Sequence, residues 1–100
     1  MRRYEAILNE IKEFDEKGIA LPSHKLSVKG VETFTPREIK QIRVNANMTQ
    51  WMFACVIGVT QKSVEAWEGG RSRPDGAARR MIGLLNKNPR FADEVGIISR

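Results

Sequence analysis

The chain contains one cysteine, Cys55, and one histidine, His24. A single cysteine excludes an intrachain disulfide, and the two residues lie too far apart, in segments of different kinds, to suggest a metal site. Both are read as structural or incidental. Long apolar runs are missing too: the longest, Trp51 to Val59, falls far short of a membrane span. No leader pattern is present, because Arg2 and Arg3 are followed by an amphipathic, acidic stretch over residues 4 to 18 and not by an apolar core with a small-residue cleavage site. A cytoplasmic location is expected. Catalytic patterns are also lacking. There is no nucleophile–base pair, no metal-ligand spacing and no phosphate-cradling glycine loop, which makes an enzyme the least supported class and implies no cofactor.

What remains is the composition of one soluble globular domain, with 100 residues, 41% apolar and 29% charged. The formal charge of +5 is unevenly spread. Residues 1 to 34 hold six bases and six acids; residues 35 to 90 hold ten bases and four acids, a local +6; residues 91 to 100 hold one base and two acids, −1. Such a concentrated excess suits a surface that neutralises phosphates and releases their counterions. It suits equally a face that keeps the domain soluble, so charge alone leaves both readings open.

Tyr4, Ile7, Leu8, Ile11 and Phe14 recur at helical spacing with charged residues between them. They predict an amphipathic helix of about three to four turns, closed by Gly18. Residues 21 to 25 form a loop broken by Pro22, and residues 26 to 34 carry β-branched residues in partial alternation, a short strand or extended arm. Thr35-Pro36-Arg37-Glu38 then combines a hydroxyl cap, a first-turn proline and a glutamate three residues after the cap. That helix runs to about Asn45. Thr49 caps a second helix reaching Ile57, and Thr60 caps a third over Gln61 to Trp67 or Glu68, stopped by Gly69-Gly70. Ala77 to Leu85 forms a fourth, with Met81, Ile82, Leu84 and Leu85 as candidate core. Asn88-Pro89 starts a short last helix carrying Phe91 and Val95. The expected fold is all-α: a compact bundle of about five short helices, preceded by the N-terminal amphipathic helix and the arm.

The helices starting at Thr49 and Thr60 are joined by Gly58-Val59 alone, a corner that fits a helix-turn-helix. Ala54 is small where the two would cross, and Phe53, Ile57, Val59, Val64 and Trp67 are expected to point inward. The first helix is then buried so as to hold the second out, and in this motif the first turn of the second helix enters the major groove. Gln61 suits N6 and N7 of adenine, Lys62 suits O6 or N7 of guanine, the Thr60 methyl suits a thymine methyl, and Ala66 faces the same way. Gln50, at the start of the supporting helix, can hold a phosphate together with nearby backbone N–H groups. Arg71 and Arg73, in the loop after the second helix, are further phosphate candidates. Arg79 and Arg80 either extend that surface or solvate their helix. Gln61 and Lys62 alone would equally make an ordinary solvated helix start; the surrounding motif favours binding.

The segments IKQIR, TQWMFACVIGVTQKSVEAWE, GGRSRP and GAARRMIGLL, spanning roughly residues 35 to 90, resemble the Cro/repressor-type (XRE) helix-turn-helix family. The resemblance is greatest to its antitoxin branch, the HigA-like and MqsA-like antitoxins of type II toxin–antitoxin pairs. It implies that Gln61 and Lys62 read bases, that Gln50 contacts phosphate, and that Arg43 bonds Glu68, read here as a structural ion pair; Ser63 joins Arg71 and Arg73 as a further phosphate candidate. It implies a homodimer on a palindromic double-stranded operator, and a protein toxin, an RNA-cleaving enzyme, as second partner. The expected organisation is residues 1–34 as helix and arm, 35–88 as the DNA-binding domain and 89–100 as a C-terminal helix. Tyr4, Ile7, Leu8, Ile11 and Phe14 are the candidate toxin-binding stripe, although the same stripe could pack on the protein's own core. Phe91, Val95, Ile97 and Ile98 are the candidate dimer element.

Two departures from the family pattern stand out. Trp51, Met52 and Cys55 are more apolar than is usual on the outer side of their helix, so that surface is expected to be covered by a partner or by the N-terminal segment. Gly69 with Gly70 loosens the following loop. The expected function is an operator-binding repressor and antitoxin. A stand-alone phage- or plasmid-type regulator shares every DNA-contacting feature. A protein-interaction module without DNA binding is disfavoured by the basic centre and the polar start of the second helix.

Overall fold

The computed structural model describes residues 18–20 and 27–99, which divide between two units, residues 1–32 and 33–100. The helix expected over residues 4 to 17, with Tyr4, Ile7, Leu8, Ile11 and Phe14, and the loop at 21 to 25 with His24 lie outside the described residues.

In the first unit, strands β1 (Gly18–Ala20) and β2 (Ser27–Lys29) pair antiparallel, Gly18 with Lys29, Ile19 with Val28 and Ala20 with Ser27. Of the strand or arm expected over residues 26 to 34, Ser27 to Lys29 are strand. Gly18, expected to close a helix, opens β1 instead. Its φ is +77°, and a Cβ there would overlap the carbonyl oxygen of Val28, so the pairing needs glycine at this position.

The second unit is all-α. Its helices are α1 (Pro36–Asn45), α2 (Gln50–Ile57), α3 (Gln61–Glu68), α4 (Gly76–Lys87) and α5 (Phe91–Glu94). Four begin on an oxygen-bearing cap. Thr35 Oγ1 accepts from Glu38 N at 3.1 Å while Glu38 Oε1 accepts from Thr35 N at 2.8 Å, a complete capping box. Thr49 Oγ1 accepts from Met52 N, Thr60 Oγ1 from Ser63 N and Asp75 Oδ1 from Ala78 N, each contact being worth about 1 kcal/mol to its helix.

Two boundaries differ from expectation. The fourth helix starts at Gly76 because Asp75 caps it, and it extends to Lys87. The last starts at Phe91. Asn88, extended ahead of Pro89, accepts from Arg90 N through its side chain and from Phe91 N through its carbonyl, so residues 88 to 90 form a turn and not a first helical turn.

The core draws on every helix: Ile39 and Ile42 from α1, Phe53, Ala54 and Val56 from α2, Val64 and Trp67 from α3, Ala78, Ile82 and Leu85 from α4, and Ala92 from α5. Each large side chain buried here contributes about 1.5 to 3 kcal/mol of transfer free energy. Ile57, Val59 and Met81 lie half-buried against this core, whereas Leu84 is on the exposed side of α4. Phe91 and Ile98 also pack on it, so much of the apolar content of the C-terminal segment serves its own unit; Val95 and Ile97 are exposed.

Candidate nucleic-acid interface

α2 and α3 are separated by Gly58, Val59 and Thr60. Gly58 has φ 89° and ψ 34°, the left-handed region, and it donates to Ala54 O at 2.8 Å. A Cβ on Gly58 would meet nothing, so the dihedral angle and not space calls for glycine. Val59 N also bonds Ala54 O, at 3.0 Å, which pulls the chain straight into the next cap at Thr60. A sharp helix-turn-helix results.

α3 turns Val64 and Trp67 into the core and leaves Thr60, Gln61 and Lys62 exposed at its start. Ser63 is half-buried, with its hydroxyl 3.0 Å from that of Thr60. Ala66 is half-buried, and its carbonyl accepts from Arg71 N and Ser72 N, which folds the loop back along the end of α3. Arg71 and Arg73 are exposed on that loop. Thr60, Gln61 and Lys62 therefore form one continuous polar turn, with the two arginines in the segment that follows the same helix.

Arg43, at the last turn of α1, meets Glu68, at the last residue of α3, in a two-point contact. Its Nη1 donates as well to the carbonyl of Met48 at 3.0 Å. The hydrogen bond with Glu68 raises the Arg43 pKa above its ordinary value, against the lowering effect of burial. Gln50, expected on a phosphate, is half-buried and donates from Nε2 to Glu68 Oε1 at 3.2 Å. The second proton of that nitrogen is left to donate elsewhere. The link from Gln50 to Glu68 was not foreseen from the sequence, and 18 residues of separation give no local signal for it. Glu65 was missed too: it accepts from Gln61 Nε2 at 3.4 Å, and here the four-residue spacing on one helix was a usable signal.

Around this surface, Trp51 is 64% exposed and Cys55 is exposed, whereas Met52 packs partly on the core. Only part of the apolar surface expected from Trp51, Met52 and Cys55 is therefore open. Arg79 and Arg80 are half-buried on α4. A cleft of about 580 Å³ lies between the entry to α1 and the loop after α3, bordered by Phe34, Pro36, Ser72, Arg73 and Arg79. Among the described residues that line it, Glu38 is the one carboxylate, and it is used in the Thr35 capping box. Among the described residues no cluster of three or more His, Cys, Asp or Glu side chains is placed to hold a metal, and no helix is long and apolar enough to cross a membrane.

No known family profile matches the chain. Over 82 residues it is 33% identical to the Antitoxin HigA-2 of Vibrio cholerae serotype O1, a match covering 82% of this chain and 79% of that relative. The chain belongs to the HigA-like antitoxin family. In this HigA-like antitoxin the helix-turn-helix is built from α2 and α3, braced to α1 by Arg43 and Glu68.

Proposed function

We propose that this HigA-like antitoxin binds a palindromic duplex operator as a homodimer and represses its own operon, with the first turn of α3 in the major groove. It also neutralises a protein toxin, an RNA-cleaving enzyme, through residues 1–34, and both activities belong to the cytoplasm. The single observation that carries the DNA half is the polar turn Thr60-Gln61-Lys62, exposed on a helix whose opposite face is anchored by Val64 and Trp67. Gln61 and Lys62 then meet base edges, with Thr60 and Ala66 as apolar neighbours. Ser63, Arg71 and Arg73 meet phosphates. Gln50 uses its second amide proton for the same purpose while the first stays with Glu68.

The toxin half is supported by family membership and by the division of charge, neutral over residues 1–34 and +6 over residues 35–90. The apolar stripe Tyr4, Ile7, Leu8, Ile11 and Phe14 suits a partner's groove. Co-expression of the full chain with the protein encoded beside it tests this. A stable co-purifying complex and rescue from the partner's toxicity are expected. A chain that binds DNA with neither complex nor rescue is a stand-alone regulator.

A further inference from the structure

We propose that Glu65 is a specificity-determining residue of the DNA surface, holding the Gln61 amide in the orientation that reads adenine; this rests on the DNA-binding reading of α3 given above. Gln61 and Glu65 stand one turn apart on the same helix face, and Gln61 Nε2 donates to Glu65 Oε1 at 3.4 Å. The bond is long and exposed, so its value lies in orientation and not in stability. An unrestrained glutamine can turn its terminal amide over and offer a base either its oxygen or its NH2 group. Beside the Glu65 carboxylate, the flipped form would set two acceptors against each other. The amide oxygen and the second Nε2 proton are thereby left for the groove. An acceptor beside a donor matches N6–H and N7 of adenine, whereas guanine would set O6 against the amide oxygen.

The charge of Glu65 points the same way. α3 carries two acids, and Glu68 is matched by Arg43. Glu65 has no such matched cation among the described residues. A carboxylate brought toward phosphates lowers affinity for any duplex, so its contribution is to discrimination and not to binding strength.

Selection from a randomised duplex library by the full chain, with melting temperatures of every variant, tests the assignment. Wild type enriches a motif containing an adenine whose preference disappears in Gln61→Ala. Glu65→Ala weakens preference at that one position roughly tenfold, and it binds unselected duplex more tightly. Glu65→Gln, whose own amide can turn over and either accept or donate, holds the Gln61 amide less firmly and shows an adenine preference between those of wild type and Glu65→Ala, while sharing the tighter background binding. A Glu65→Ala protein that melts normally and enriches the same motif as wild type overturns the role of Glu65 and leaves the DNA reading standing. Loss of preference at all positions together, with a lowered melting temperature, also overturns it, because Glu65 would then be structural. A wild-type chain that enriches no motif overturns the DNA-binding reading itself.

Discussion

Arg43 and Glu68, 25 positions apart, meet with Nε 2.7 Å from Oε2 and Nη2 3.0 Å from Oε1, and their side chains are only 13% and 7% exposed. With the third bond, to the Met48 carbonyl, one guanidinium ties together the end of α1, the turn before α2 and the end of α3. Removing it leaves a mostly buried carboxylate without its partner. Arg43→Ala should lower stability by about 2 to 3 kcal/mol in urea unfolding of the full chain. Arg43→Lys should recover little of that, since an ammonium cannot reproduce the planar fork. Because the folded Arg43 pKa is raised, the contribution of the pair on the arginine side is present below the ordinary arginine range and is lost only as pH rises through the raised value. The loss caused by Arg43→Ala should therefore be the same at pH values of about 7 and 9.

Gly58 supplies a second test of the motif's geometry. Its φ of 89° is costly for any residue with a Cβ, although no atom stands in the way. Gly58→Ala should cost about 1 to 2 kcal/mol, and Gly58→Asn less, since asparagine tolerates the left-handed region better. Equal melting temperatures for wild type and Gly58→Ala would contradict the conformational reading.

Most of the second unit was legible in the sequence because its signals are local. Threonines 35, 49 and 60 are hydroxyl caps three residues before the N–H groups they serve, and all three are found capping. Asp75 was missed because Pro74-Asp75-Gly76 reads as a turn, which hides a cap that looks identical in composition. Asn88-Pro89 misled in the opposite sense, presenting a cap and a first-turn proline where the chain makes a turn. β2 was legible from its β-branched residues, but its pairing with β1 was not: the three residues Gly18 to Ala20 have too little alternation to register, and Gly18 also fits a helix end. At the candidate site, exposure at the start of α3 followed from the helix-turn-helix pattern, a buried apolar helix and a sharp glycine corner ahead of a polar helix start. The bond from Gln50 to Glu68 joins separate helices and becomes visible only once they are packed.

Assembly should depend on the apolar residues that the unit does not use itself. Val95 and Ile97 are 54% and 45% exposed, whereas Phe91 and Ile98 pack on the core. A two-fold dimer would set two α3 helices about 34 to 36 Å apart on a palindrome. Changing Val95 and Ile97 together to Asp should give a monomer in sedimentation with little change in melting temperature. A dimer that persists in that variant would move the interface elsewhere.

The N-terminal stripe is tested by changing Leu8 and Ile11 together to Asp. Toxin binding and rescue should be lost while DNA binding stays close to wild type, since a partner helix depends on a few large anchors. A lowered melting temperature with toxin binding retained per folded molecule would mean that the stripe packs on the protein's own core.

The most direct measurement is a titration of the duplex preceding the chain's own coding sequence, against a scrambled duplex of equal length and over a range of salt, with wild type, Gln61→Ala and Arg71→Ala. Wild type should prefer its own duplex. Gln61→Ala should lose about 1 to 3 kcal/mol on that duplex alone, relaxing discrimination at one base pair. Arg71→Ala should weaken both duplexes alike and reduce the salt slope by about one. Unchanged affinity and base preference in Gln61→Ala would contradict the placement of α3 in the groove and, with it, the account of this protein as an operator-binding antitoxin.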